Sequence, residues 1–235
     1  MQKSYDVSTP EFKTVSEEIH EKAKEMVYKI NSHYETVEKT ADLYKSDYVE
    51  IYDEVMRILN YNEPYVIRDV VSGPKEEGML EIPRDAKVLD IGCGTGRMGR
   101  LLSADGFKDI QGIDGSPNML KYADESGVYS KTETVWLGQG VDKFPEHLKE
   151  AFDLVISAGI WMISHVPKEG MRDAHAAVKV GGYFVTAMRA SYWVNGEACG
   201  YKDMMDRLIS EGKFAMVNQI KFMRGVEGSI ELYKP

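Results

Sequence analysis

Apolar positions in the first sixty residues recur at threes and fours. Val15, Ile19, Ala23, Met26, Val27 and Ile30 share one face, with Glu and Lys between them, and predict a helix over 11–31. Tyr48, Ile51, Tyr52, Val55, Met56 and Leu59 predict a second helix over 47–59. Asn60-Tyr61-Asn62-Glu63-Pro64 breaks that stripe, Pro64 suits the first turn of a third helix, and Ser72-Gly73-Pro74 ends it. Residues 1–75 therefore read as a helical cap or lid over a second unit, 76–235.

From residue 86 short apolar runs alternate with helical stretches. Strands are predicted at 87–91, 110–113, 135–137, 152–157 and 182–188. Helices are predicted over about 97–104, from Pro117 with Ser116 as its cap, near 168–178 and near 200–211. Two candidate strands follow at 214–223 and 229–233, and Gly225 and Gly228 between them suggest a closing hairpin. Strands alternating with helices imply an α/β fold with parallel pairing and right-handed crossovers.

Composition narrows the function classes. The 235 residues, 43% hydrophobic and 29% charged, suit one large domain or a domain with an appendage. A net charge of −9 argues against a general nucleic-acid binder, which needs a basic face. Cys93 and Cys199 are too few for a disulfide framework and lack metal-ligand spacing, so no metal is expected and a reducing, cytoplasmic setting is the default. The start, MQKSYDVSTP, is polar, and no run of 18 apolar residues exists, so no membrane span is expected.

The strongest chemical signal is Val88-Leu89-Asp90-Ile91-Gly92-Cys93-Gly94-Thr95-Gly96. An apolar strand runs into three alternate glycines and then a helix. A ligand lying across strand tips needs backbone without a Cβ in its way, and the helix start suits a carboxylate. Taken alone, the run also fits a tight turn with no ligand. Asp114 ends the second strand 18 residues after Gly96, where an acidic side chain accepts the two hydroxyls of a ribose; the alternative is a turn aspartate. In the nicotinamide-dinucleotide fingerprint the third glycine falls one step later, at Arg97 in this chain.

These residues resemble the class I S-adenosylmethionine-dependent methyltransferases. VLDIGCGTG is similar to the family's first motif, GIDGSPNML to its second, AFDLVISAGI to its fourth and KVGGYFV to the strand after its Pro-Gly-Gly turn. More narrowly, Tyr44…Tyr48…Tyr52-Asp53, IDGSPNML with Gly127-Val128-Tyr129, and Ser164-His165-Val166 resemble the Williams–Beuren syndrome region methyltransferase-like group.

The resemblance implies a Rossmann-like sheet of seven strands, order 3-2-1-4-5-7-6, the last antiparallel, with the helical cap at its N-terminal side. It implies S-adenosylmethionine as cofactor and S-adenosylhomocysteine as product. Asp90, Gly92, Cys93, Gly94 and Gly96 approach the amino-acid portion on that analogy, and Asp114 holds the ribose. Gly115 and Met119 border the adenine, Gly138 and Gln139 lie near its amino group, and Ala158 and Gly159 lie near the methionine part. Gln139 stands where many members carry aspartate, and Val180 where many carry proline.

His165 is the candidate general base, or else a loop histidine that packs or caps. Tyr44, Tyr48 and Tyr52 either fold over the cofactor, with Tyr44 and Tyr52 touching it, or form a buried helix stripe. Trp161, Trp193 and Tyr201 (with Tyr192) flank the expected mouth and shape an acceptor pocket; for Trp193 or Tyr201 the alternative is a cover over the core edge. Arg189 meets an anionic acceptor or pairs with a local carboxylate. The expected acceptor is a small molecule, and the expected assembly a monomer or homodimer. The rival functions are a nicotinamide-dependent oxidoreductase and a cofactor-binding regulatory or partner-binding protein without catalysis.

Overall fold

The computed structural model describes residues 16–33, 44, 48–59, 61–73, 79–162, 165–194, 200–224 and 226–234. Ser164 and Cys199 lie outside the described residues, as does the predicted helix start at 11–15. Three helices come first, α1 (Glu17–His33), α2 (Tyr48–Ile58) and α3 (Glu63–Ser72). The alternating part follows as β1 (Lys87–Ile91), α4 (Arg97–Ala104), β2 (Asp109–Asp114), α5 (Pro117–Glu125), β3 (Lys131–Thr134), β4 (Phe152–Ala158), α6 (Gly170–Ala177) and β5 (Val178–Met188). The last elements are α7 (Ala190–Val194), α8 (Tyr201–Ser210), β6 (Ala215–Arg224) and β7 (Val226–Lys234).

β1 to β5 form the parallel Rossmann-like body, in the order β3-β2-β1-β4-β5. The sheet continues past β5 through β7 and then β6, each pairing antiparallel with its neighbour. The C-terminal ends of β2, β1, β4 and β5 therefore lie side by side along one edge, where crevices form in open α/β sheets.

Period-two alternation sends successive side chains to opposite faces. Leu89, Ile91, Val155 and Phe184 pack against α6 and α8, through Met171, Ala174, Tyr201 and Met205. Val88, Ile110, Leu154, Ile156 and Val185 pack against α3 and α4, through Ile67, Val70, Met98 and Leu102. Thus α3 is built into the sheet's core, whereas α1 and α2 form their own cluster around Ala23, Tyr48, Ile51 and Val55. Buried Glu54 ties that pair together: His20 Nδ1 lies 2.6 Å from Oε1, and Arg57 donates to both carboxylate oxygens at 2.6 and 2.7 Å.

The third strand differs from the sequence expectation. It is Lys131–Thr134, and Val135-Trp136-Leu137 follow it as loop. β3 is an edge strand whose residues are exposed or half-buried, so it carries no apolar run. Val135 and Leu137 are buried around an exposed Trp136, which imitates strand alternation.

Candidate functional site

The glycine loop is pinned across the β1–β2 edge. Gly92 N and Cys93 N both donate to Ile113 O, at 2.7 and 3.1 Å. Gly94 N donates to Asp114 Oδ2 at 2.9 Å, and Ser116 N donates to Asp114 Oδ1 at 2.8 Å. Ser116 Oγ accepts from Met119 N at 3.3 Å and caps α5. Gly92, Gly94 and Gly96 all sit at positive φ, yet they do different work. A Cβ at Gly92 would lie 2.4 Å from Ile160 Cγ2, and one at Gly96 would lie 3.0 Å from the Tyr129 ring. A Cβ at Gly94 would meet nothing within 4 Å. Gly94 is where backbone faces open space beside the Asp114 carboxylate. Burial pushes that carboxyl upward, partly offset by its two backbone donors. Each oxygen accepts one backbone hydrogen bond and retains capacity for another, which suits a diol.

Beneath the loop lies a pair that residue spacing did not reveal. The Tyr129 hydroxyl donates to Asp90 Oδ2 at 2.7 Å and accepts from Gly99 N at 3.1 Å. The ring reaches Asp90 through space that Gly96, Gly99 and Gly112 leave open; a Cβ at Gly99 would stand 2.3 Å from Tyr129 Cζ. Asp90 shares its face of β1 with Val88, so it faces the apolar side packed by α3 and α4. Burial pushes it up to about 7; the Tyr129 hydrogen bond opposes this, and the Asp114 charge adds to it. The signal available in the sequence was Gly127-Val128-Tyr129, which carried no assigned role.

The N-terminal helices close over this edge. Asp53 of α2 accepts from Thr95 Oγ1 at 2.8 Å and from the Arg97 and Arg100 guanidiniums at 3.1 and 3.3 Å. Ser116 Oγ donates to the Tyr44 backbone carbonyl at 3.1 Å. Tyr44 Oη lies 2.9 Å from His165 Nε2, and the Tyr44 ring packs with Tyr48, Tyr52 and His165 at centroid distances of 5.8, 6.2 and 5.7 Å. Burial raises the Tyr44 phenol well above its usual range, and Tyr52, Tyr48 and Asp114 add to this. His165 is pushed down to about 4, first by burial and then by the Arg189 charge. At neutral pH the pair is therefore a phenol and a neutral imidazole. Tyr61 closes the β4 end, its hydroxyl donating to Ala158 O at 2.7 Å.

The aromatic residues expected around an acceptor pocket are placed differently. Trp161 is 0% exposed, and its indole N–H lies 2.6 and 2.9 Å from Thr186 Oγ1 and Ser157 Oγ. Tyr201 is equally buried and donates to Val166 O at 2.6 Å. Both belong to the core between the sheet, α6 and α8, and Trp193 is buried in the same cluster. This corrects the pocket-wall expectation for all three: large rings fill the core once their polar atoms find internal partners. Arg189 and Tyr192, just after β5, stay partly exposed at the strand tips.

Residues 88–182 match the family described as methyltransferase domain. Residues 88–182 thus resemble a methyltransferase domain. Over 155 residues it is 30% identical to methyltransferase-like protein 27 of Homo sapiens, covering 66% of this chain and 58% of that one. Over 147 residues it is 31% identical to the tRNA U34 carboxymethyltransferase of Cellvibrio japonicus, covering 60% and 41%. The chain thus spans about half the length of these curated relatives. Among solved structures, a TehB-like S-adenosylmethionine-dependent methyltransferase from Corynebacterium glutamicum superposes with a TM-score of 0.55 at 24% identity, covering 80% and 97%. A chain from the complex between the Haloferax volcanii Trm112 methyltransferase activator and a methyltransferase gives 0.60 at 13% identity, covering 83% and 96%. These two likenesses concern the fold.

S-adenosylmethionine is the cofactor that a methyltransferase domain of this fold implies, and the residues present fit it. The fit rests on the open backbone at Gly94 beside Asp114. Around that corner Gly115 lies against the half-exposed Trp136, 3.3 Å from where a Cβ would sit, and Met119 is buried. Gly138 N donates to Asp173 Oδ2 at 2.6 Å, while Gln139 is exposed. Gly159 N reaches Ala187 O at 3.0 Å, and its open side is filled by Tyr61. Trp136 and Tyr129, with Asp53 and Tyr61 from the N-terminal helical part, are the residues of this edge to which sequence reasoning gave no role. Among the described residues no cluster of three or more His, Cys, Asp or Glu is arranged to hold a metal, and no helix is long and apolar enough to cross a membrane.

Proposed function

We propose that this chain catalyses methyl transfer from S-adenosylmethionine to a small-molecule acceptor bound beside Tyr44, His165 and Arg189. The observation that carries the reading is the corner where Gly94 faces open space, Asp114 offers its carboxylate and Tyr44 is tied down by Ser116. Asp114 accepts the ribose hydroxyls. Gly94 faces the amino-acid portion, with Gly92, Cys93 and Gly96 shaping the loop and Asp90 lying beneath it. Gly115, Met119, Gly138 and Gln139 border the adenine, with the Trp136 ring beside Gly115, and Ala158 and Gly159 lie on the methionine side behind the Tyr61 ring.

When bound, the cofactor supplies an electrophilic methyl group on a positively charged sulfur. The protein's share of catalysis is positioning and exclusion of water. Orientation of reacting groups is worth about 7–11 kcal/mol. Tyr44, Tyr48 and Tyr52 exclude water from above. His165 is neutral at pH 7 and so has a nitrogen able to accept a proton when the acceptor releases one, although a group pushed down to about 4 is a weak base. It serves an acceptor that is already a good nucleophile.

The net charge of −9 supports a small molecule over RNA, even though one of the relatives above is named for action on tRNA. The low cysteine content supports a cytoplasmic setting. The test incubates the chain with methyl-labelled cofactor and, in parallel, with a metabolite extract and with bulk tRNA, after calorimetry with S-adenosylmethionine. Cofactor binding with label in the small-molecule fraction is the expected result. Label confined to tRNA would overturn the acceptor class, and absence of cofactor binding would overturn the reading as a whole.

A further inference from the structure

Arg189 directly follows β5, at the edge where β4 ends in Ala158. Its Nε is shut away from solvent and meets no hydrogen-bond acceptor. Its guanidinium lies 5.9 Å from the Tyr192 ring centroid, and its charge is felt at His165. Among the described residues no carboxylate pairs with it. Of the other sheltered arginines, Arg57 is paired with Glu54, Arg68 with Asp105, Arg97 and Arg100 with Asp53 and Arg172 with Glu211, while Arg84 donates to the backbone carbonyls of Val71, Ile82 and Ser72. Arg189 is partly buried, and a sheltered guanidinium N–H without an acceptor is costly, a cost recovered where a ligand brings an oxyanion. Among the described residues, the carboxylates along this edge are Asp90 on β1, Asp114 on β2 and Asp53, which is already engaged by Thr95, Arg97 and Arg100. In the strand order β2-β1-β4-β5, Asp114 and Arg189 are three strand spacings apart, about 14 Å.

We infer that Arg189 holds an oxyanion of the methyl acceptor, so that the substrate is an anionic small molecule carrying a carboxylate or a phosphate ester. The inference rests on the methyl-transfer reading for what the bound anion is used for. The planar guanidinium suits two-pronged recognition of either group. The neutral Tyr44–His165 pair beside it adds polar contact without a competing charge. The anion acts as a handle on the β5 side, which leaves the nucleophilic atom of the same molecule free to face the cofactor.

The test uses the full chain loaded with S-adenosylhomocysteine. Inorganic phosphate, acetate and chloride are titrated at constant ionic strength while the side-chain NMR signal of His165, assigned with His165→Asn, is followed. Phosphate or acetate is expected to move that signal saturably, and chloride is not. Arg189→Gln should weaken the response at least tenfold, Arg189→Lys should keep part of it, and both should bind S-adenosylhomocysteine as the parent does. A preference for phosphate identifies a phosphate ester, and a preference for acetate a carboxylate. A response that is absent, does not saturate or survives in Arg189→Gln overturns the anion site. Failure of the parent chain to bind S-adenosylhomocysteine overturns methyl transfer instead, and the same titration on the ligand-free chain then decides the anion site separately.

Discussion

The two ends of the strand-tip edge are built on opposite principles. At the β1–β2 end, two carboxylates are held by neutral donors: Tyr129 serves Asp90, and backbone amides serve Asp114. At the β4–β5 end a cation, Arg189, stands beside a neutral imidazole and a phenol. The first end is assembled from residues 88–129, close in the chain. The second draws on Tyr44 and His165, 121 residues apart, and on Arg189. The difference follows from what each end binds under the proposed function. A cofactor of fixed shape is met by a compact local motif, whereas the acceptor is met by side chains that only tertiary packing brings together.

The largest expected effect is at the first end. Gly94→Val should lower S-adenosylmethionine affinity more than a hundredfold in calorimetry, because a branched side chain occupies the open corner. Its circular dichroism should stay native-like: nothing lies within 4 Å of the new Cβ, and the left-handed backbone costs about 1–2 kcal/mol. Normal binding by this variant would erase the distinction between the two ends. Asp114→Ala should weaken the cofactor at least tenfold, about 1.4 kcal/mol, through loss of charge-assisted hydrogen bonds. An unchanged affinity would move the ribose elsewhere.

A smaller effect tests the buried carboxyl. Asp90, raised to about 7, is largely protonated at pH 6 in the free protein. A cationic amino group beside it favours the ionised form, so binding releases a proton. Affinity should rise with pH by up to tenfold per unit below about 7 and level off above. Tyr129→Phe removes the hydrogen bond that holds Asp90 down, which shifts this rise to higher pH and lowers affinity several-fold at pH 7. Calorimetry at pH 6, 7 and 8 checks both, and a flat profile would remove Asp90 from the cofactor site. The smallest effect marks a core position: Trp161→Phe should cost about 1 kcal/mol from the lost indole hydrogen bond, a fall of about 2–4 °C in Tm, with unaltered cofactor affinity.

Legibility in the sequence followed the same division. The glycine loop, Asp114 and the Ser116 cap were readable because each is a local motif whose residue types are dictated by backbone geometry. β1, β4 and β5 were readable as apolar runs. β3 was not, since an edge strand needs no apolar run and Trp136 supplied a false alternation. Trp161 and Tyr201 were misread because sequence shows an aromatic ring near a strand tip but not the Ser157, Thr186 and Val166 oxygens that let it sink inside. The Asp53 clamp on Thr95, Arg97 and Arg100 joins segments more than forty residues apart, and no spacing rule connects them.

Tyr129 and the three glycines around its ring behave as one interlocked unit in which no member can drift alone. Alanine at 99 would collide with the phenol at 2.3 Å, and a shorter residue at 129 would leave a hollow under the loop. A lineage that changes one of these positions must pass through a poorly packed intermediate or change several together. Glycine counts near a nucleotide loop therefore overstate how much backbone touches a ligand: here Gly96, Gly99 and Gly112 are tied to one another's fate through a tyrosine.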